Sequence, residues 1–214
     1  MKVKSVNIGS PTTVSWKAKE VTTGIYKYPV DKEIYLDKED VAGDSVIDRR
    51  YHGGVDKACY LYSADHYAYW QGLYPYLEWN YGMFGENITL EGLKEENLFL
   101  GDIYQLGQAK VQITQPREPC FKLGIRFGTQ KVLKQFLNKT FCGSYLKVIE
   151  PGAVIKGDTM QLLEGGNSPL SIAELYKLFF FPEVLKEDLE NALGETLLTG
   201  HNRENLQNRL KILT

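Results

Sequence analysis

A cysteine stands in the stretch QPREPCFKLGIRFG, residues 115–128, where few side chains could account for it except by chemistry. Cys120 has Arg117, Lys122 and Arg126 near it in sequence and Lys110 more remotely. Cations beside a thiol favour the thiolate, the form that attacks electrophiles and binds metals. Pro116 and Pro119 fix their own φ and push the residues before them toward extended backbone. The loop is therefore stiff, and a stiff loop after a strand is a good mount for a reactive group. The competing reading is a small buried apolar cysteine, the commoner fate of that residue. The local pattern leaves both open.

Two further segments could carry chemistry. In DRRYHGGVDKACYLY, residues 48–62, the cations Arg49, Arg50 and Lys57 and the imidazole of His52 surround Gly53-Gly54. Glycines let backbone N–H groups approach a ligand, and the cations would meet an anion, most naturally phosphate. No GxxxxGK[ST] or GxGxxG pattern is present, so this is neither a Walker loop nor a dinucleotide fingerprint. A charged turn with a structural histidine would look the same. In FGENITLEGL, residues 84–93, Asn87 could read a ring edge by donating and accepting together, or could stabilise a turn. The aromatic run YLYSADHYAYWQGLYPYLEW has few cations between its rings and reads as core and rim, with His66 structural. Cys59 and Cys142 read as small apolar packing residues.

The elements that position these groups are mostly strands. KVKSVNI alternates polar and apolar residues as a half-buried strand does. GIYKYPV, KEIYL, ACYLYS, KVQIT, YLKVI and TMQLLE continue the series. Gly43-Asp44, Gly101-Asp102 and Gly157-Asp158 read as tight turns entering strands. Helices are expected in SADHYAYWQGLY, with Ser63 as cap, in TQKVLKQFLN, and over the short piece LKEENLF. Gly165-Gly166-Asn167-Ser168-Pro169 reads as a linker. Beyond it Ser171 and Glu174 have capping-box spacing, Pro182 suits the start of a second helix ending at Gly194, and RENLQNRLKIL forms a third. The fold class is thus mixed and mainly β. Residues 1–164 form a β-rich domain, and 168–214 a three-helix domain that packs on it or on another copy, so a homodimer is compatible with the sequence.

With 214 residues the chain can bury a core without staples. A net charge of −2 and a pI near 6.0 speak against a partner that is a nucleic acid polymer. The tail carries five Lys/Arg against seven Asp/Glu, which argues against a DNA-reading helix pair. The start MKVKSVNIGS has no secretory h-region and no apolar run is long enough for a bilayer, so no membrane association is expected. Three widely spaced cysteines without a CxxC pair fit free thiols in the cytoplasm.

Taken together, HGGVDKA at 52–58, FGENIT at 84–89, Gly101-Asp102, QPREPCFKL at 115–123 and YLKVIEPGAVIKGD at 145–158 resemble the MOSC family, the domain found at the C-terminal end of molybdenum cofactor sulfurases, and within it the YiiM-like branch. Val55 stands where a proline is usual, and Ser144 where a tryptophan often precedes the tyrosine. The resemblance implies a β-barrel-like core with peripheral helices and a small C-terminal three-helix domain. It implies the molybdenum cofactor, Mo-molybdopterin, with Cys120 as metal ligand, in keeping with thiolate softness. Arg49, Arg50, His52 and Lys57 would meet the cofactor's phosphate, Arg117 and Lys122 the phosphate or the pterin, and Asn87 the pterin edge.

The activity expected from this resemblance is reduction of N-hydroxylated compounds, such as hydroxylaminopurine-type base analogues, to the amine. The chain shows neither an iron–sulfur cysteine set nor a dinucleotide fingerprint, so electrons are expected from a separate reductase, a flavoprotein. The alternatives are a sulfur carrier with a Cys120 persulfide, a non-catalytic molybdopterin-binding protein, and a Cys–His hydrolase using His52 or His66.

Overall fold

The first strand shows how the chain departs from simple alternation. In β1 (Lys2–Ile8) a bulge falls between Val3 and Ser5 where it pairs with β7 (Ile88–Glu91). The extra residue lets Val3 and Val6, three apart, both face the core at 1% and 0% exposure. Ser5 and Asn7 are also buried, and they hydrogen-bond each other. The computed structural model describes residues 1–47 and 53–213.

The other strands are β2 (Thr12–Trp16), β3 (Lys19–Thr23), β4 (Tyr28–Pro29), β5 (Ile34–Leu36), β6 (Cys59–Ser63), β8 (Ile103–Leu106), β9 (Ala109–Pro116), β10 (Ser144–Glu150), β11 (Gly152–Val154) and β12 (Met160–Glu164). Eight of them form one sheet in the order β12-β8-β9-β10-β6-β7-β1-β4. Its pairs are antiparallel except β6 with β7, whose parallel pairing needs the crossover that carries helix α1 (Tyr67–Leu73). Backbone bonds from Val3 N to Asp158 O (2.8 Å) and Met160 N to Met1 O (3.0 Å) tie the start of β1 to the head of β12. The sheet thus curls back on itself, giving the barrel-like core.

Inside it, the aromatic run packs as expected. Tyr62 stacks on Phe84 with ring centroids 4.2 Å apart, and the Trp70 indole N–H donates to the Tyr62 hydroxyl at 2.8 Å. The remaining helices are α2 (Phe121–Arg126), α3 (Lys131–Leu137), α4 (Ile172–Phe180), α5 (Lys186–Leu193) and α6 (Gly200–Leu213). The Ser171–Glu174 capping box is formed at the head of α4, with Glu174 N donating to Ser171 Oγ and Ser171 N to Glu174 Oε2. Ile172 and Tyr176 of α4 enter the main core. Leu175, Leu178 and Phe179 join Leu189, Leu198, Leu206 and Leu100 in a second cluster. One helix therefore serves both cores.

Several expectations are corrected. GIYKYPV pairs only at Tyr28–Pro29, because Lys27 N bonds back to Ile25 O in a tight i→i+2 turn that breaks the ladder. LKEENLF is a single 3₁₀ turn, Glu95–Asn97. The second C-terminal helix starts at Lys186 and not at Pro182, since the Asp188 carboxylate accepts from Leu185 N and caps it there. Gly43 does take a left-handed φ of 78°, but the described residues 45–47 after Asp44 form no strand. The β2–β3 hairpin and helix α2 have no counterpart in the sequence reading. The hairpin turns on Lys17 and Ala18, both with positive φ and neither a glycine.

Candidate functional site

Strand β9 runs to Pro116 beside β10, with Gln115 opposite Tyr145 and Pro116 opposite Ser144. The next residues form the stiff loop, and Cys120 ends it in extended backbone (φ −119°, ψ 167°) at the head of α2. Its carbonyl accepts the Leu123 N–H at 2.9 Å. Cys120 is half-buried, whereas Cys59 and Cys142 are 1% and 0% exposed. Burial pushes the Cys59 thiol up to about 12 and the Cys142 thiol well above its ordinary value. Both are protonated packing residues, as the sequence suggested.

Cys120 faces two clefts. The first is a narrow cleft of about 80 Å³, and its wall includes Lys27, Lys57, Asn87, Arg117, Lys122 and Tyr145. Arg117 is 5% exposed, its guanidinium carbon lying 5.1 Å from the Tyr60 ring centre and 5.8 Å from that of Phe136. Its Nη1 is buried and has no hydrogen-bond partner among the described residues. Burial works against the Arg117 charge, but Tyr60, Tyr145 and Cys120 outweigh it and hold the guanidinium above its usual range. A buried charged donor left unpaired costs several kcal/mol on the order of a lost charged hydrogen bond, which a ligand oxygen would recover.

Lys57 ends a 3₁₀ turn, Val55–Lys57, with its ammonium 5.7 Å from the Tyr145 ring centre. Burial holds it below the usual lysine range, Glu118 and Asp56 working the other way. Lys122, on α2, pairs with no carboxylate among the described residues. Lys27 is 6% exposed and ion-paired with Asp44, which no motif announced. Asn87 lies against the cleft, but its amide is engaged: Nδ2 donates to Asp44 Oδ2 (2.9 Å) and Asn7 O (3.4 Å), and Oδ1 accepts from Tyr60 N (3.3 Å). In this geometry it fixes Asp44 and the strands beneath the cleft.

The motif neighbour Glu86 is fully buried and accepts from Tyr67 Oη, Gly82 N, Phe84 N and Thr89 Oγ1, pinning the turn that carries Asn87. Arg126 sits at the far end of α2 between Tyr26 and Tyr28, and Lys110 pairs with Glu150, so neither lines the clefts. His66 bonds Glu95 and stacks on Phe141 away from Cys120, which removes it as a base for that thiol. Arg49, Arg50 and His52 lie outside the described residues.

The second cleft is wider, and Cys120, Lys57, Lys122 and Tyr145 border it too. Gly53 and Gly54 lie on its wall, Gly54 at a φ of 98° that glycine alone adopts easily. Its far side comes from the C-terminal helices: Thr199, Gly200 and His201. Thr199 Oγ1 donates to Gln115 Oε1 (2.9 Å), and Asn202 Nδ2 to Thr114 O (3.3 Å). Glu118 Oε1 lies 2.7 Å from His201 Nε2 and accepts from Asn205 Nδ2 at 2.7 Å. Sequence reasoning missed these residues. Thr199 at the capping distance from Asn202 was the available signal for the helix start, whereas nothing local announces a contact with Glu118, 83 residues away.

The sequence pattern of the MOSC domain matches residues 48–161, which contain Cys120 and the cleft residues Lys57, Arg117 and Lys122. The chain belongs to the MOSC domain family. It is 35% identical over 197 residues to the uncharacterised protein YflK of Bacillus subtilis, covering 92% of this chain and 89% of that one. The crystal structure of YiiM from Geobacillus stearothermophilus is similar with a TM-score of 0.80 at 32% identity, covering 98% of both chains. That MOSC likeness therefore includes the C-terminal helices, which lie beyond the domain match. A protein of Gibberella moniliformis named reductase is 35% identical over 148 residues, 68% of this chain but 26% of that protein.

Proposed function

We propose that the chain is a molybdenum-cofactor-dependent reductase of N-hydroxylated compounds, with Cys120 as the protein ligand to molybdenum and electrons delivered by a separate flavoprotein reductase. The observation that carries this reading is Arg117: a buried guanidinium beside the half-buried Cys120, with one nitrogen left without a partner among the described residues. A thiolate donor and an unsatisfied cation in one enclosed cleft fit a ligand that is both a soft metal and an oxyanion. Lys57 and Lys122 add positive charge to the same wall. Among the described residues no three His, Cys, Asp or Glu side chains gather as metal ligands. This fits a metal that arrives on an organic group and takes one further ligand from the protein.

When bound, the cofactor would supply the two-electron reduction of the N–OH group. The chain's own part is to hold and orient. Cys120 is fixed by the prolines and the α2 head, and Arg117 by the Tyr60 and Phe136 rings. The relative named reductase supports this class of chemistry.

The test is molybdenum and pterin content of protein from a cofactor-competent host, beside Cys120→Ala. Near-stoichiometric metal in the parent and little in the variant is expected. If both stay metal-free after reconstitution with cofactor, the reductase reading fails, and mass spectrometry for a reductant-labile sulfur on Cys120 takes its place.

A further inference from the structure

Reduction of an N-hydroxylated amine consumes protons as well as electrons: R–NHOH + 2 e⁻ + 2 H⁺ → R–NH₂ + H₂O. Resting on the reductase reading, we propose that His201, held by Glu118, is the proton donor of the wide cleft, so that the C-terminal helix forms part of the catalytic site.

The placement carries the argument. His201 and Cys120 border the same cleft, which is wider than the enclosed one and open enough for a substrate. Helix α6 is fastened there at Gln115 and Thr114 of β9, and His201 and Asn205, four apart on one face, both meet Glu118. Glu118 is two residues from Cys120, so the pair rides on the loop that carries the thiol. The His201 and Glu118 side chains are 43% and 34% exposed, which lets the imidazole recover a proton from solvent.

Other groups facing this cleft serve less well. Burial raises the Tyr145 phenol, only partly offset by Arg117, so it is a weak acid at neutral pH. Glu118 Oε1 accepts from Asn205 Nδ2 and lies 2.7 Å from His201 Nε2, so it is engaged in orienting the imidazole. Lys57 and Lys122 also line the cationic cleft, and Glu20 and Asp56 complete the charged rim. Histidine is the side chain that changes charge near neutrality, as a relay must.

In the step, the N–O bond breaks as it takes up two electrons that originate in reduced flavin of the separate reductase. The His201 imidazolium gives its proton to the departing hydroxyl oxygen, which leaves as water. The amine nitrogen takes the second proton from solvent, and solvent reprotonates the imidazole.

The test uses cofactor-loaded full chain, dithionite-reduced viologen as electron donor and 6-N-hydroxylaminopurine as substrate. At molybdenum content equal to the parent, His201→Gln is expected to lower kcat about 100-fold and leave KM within about threefold. Added imidazole should restore part of kcat to His201→Ala. Independently of turnover, adding 6-N-hydroxylaminopurine to the cofactor-free full chain should move the His201 imidazole NMR signals and leave those of His66 in place. A parental kcat in His201→Gln, unmoved His201 signals, or loss of molybdenum together with activity and no imidazole rescue would overturn the relay. If the parent itself holds no molybdenum and is inert, the reductase reading has failed and the relay falls with it.

Discussion

The guanidinium carbon of Arg117, three residues ahead of Cys120, lies 5.1 Å from the Tyr60 ring centre, with Nη1 buried and unpartnered among the described residues. The ring fixes the plane of the cation and thereby where its free N–H points. In a chain selected only for stability, such a donor would be paired or replaced, because burying a charge without hydrogen bonds is costly. The loss is understandable if a ligand completes the pairing.

Arg117→Met should therefore separate stability from binding. It keeps volume between Tyr60 and Phe136 and removes a buried charge whose Nη1 is unsatisfied among the described residues, so the cofactor-free chain should melt at the parental temperature or slightly above it. Cofactor affinity should fall about 10–100-fold, the worth of one charged hydrogen bond. Calorimetry of the cofactor-free chain and molybdenum retention on dialysis read the two effects. A large drop in melting temperature would make Arg117 a packing residue.

Thiol reactivity should single out Cys120. In the folded, cofactor-free chain at pH 8, Ellman's reagent should label one thiol quickly, and three in denaturant. The Cys59 thiol rises from 9.0 to about 12 on folding, mainly by burial, so the folded chain keeps a proton that the unfolded chain releases. The stability linked to that proton is present below pH 9.0 and is lost as pH rises toward about 12. Cys59→Ala should lower stability at pH 7 but lessen its alkaline slope by about 1.4 kcal/mol per pH unit. Urea unfolding between pH 7 and 10.5 measures it.

What was legible in the sequence was local. The proline-flanked Cys120, the Ser171–Glu174 box and the aromatic run each follow from residues a few positions apart, and each is found in place. The site's walls were not legible, because distant segments build them. Asp44 meets Lys27 and Asn87 across three separate loops, and Glu118 meets His201 from the far end of the chain. The β2–β3 hairpin, whose Glu20 to Thr23 border the clefts, was hidden for another reason. Its turn is built from Lys17 and Ala18 in left-handed backbone, without the Asn-Gly or Asp-Gly that would mark it.

Glu86 offers a test of the turn below the cleft. Its carboxylate gathers Tyr67 Oη, Gly82 N, Phe84 N and Thr89 Oγ1 at 0% exposure. Glu86→Ala strands all of these donors in the core and should cost about 3–5 kcal/mol. Glu86→Gln retains acceptors only on one oxygen and should cost less. Both are read by urea unfolding, and equal losses would mean that the charge, not the volume, holds the turn.

The Lys27–Asp44 pair beneath the cleft predicts an asymmetry. Asp44 also accepts from Gly9 N and Asn87 Nδ2, each at 2.9 Å, whereas Lys27 has Asp44 as its ion-pair partner among the described residues. Removing the lysine leaves a carboxylate that still has two donors. Neutralising the aspartate leaves a buried ammonium with only a neutral acceptor, and breaking such a pair costs about 3–5 kcal/mol. Asp44→Asn should thus be the more destabilising change by about 1–2 kcal/mol in urea unfolding. The order should reverse for anions: Lys27→Met removes positive charge from the cleft wall and should weaken phosphate binding, while Asp44→Asn should strengthen it. Isothermal titration with inorganic phosphate in the cofactor-free chain would show the reversal. Equal stability losses with unchanged phosphate affinity would mean that the pair is a neutral spacer in the fold and takes no part in the cleft's charge.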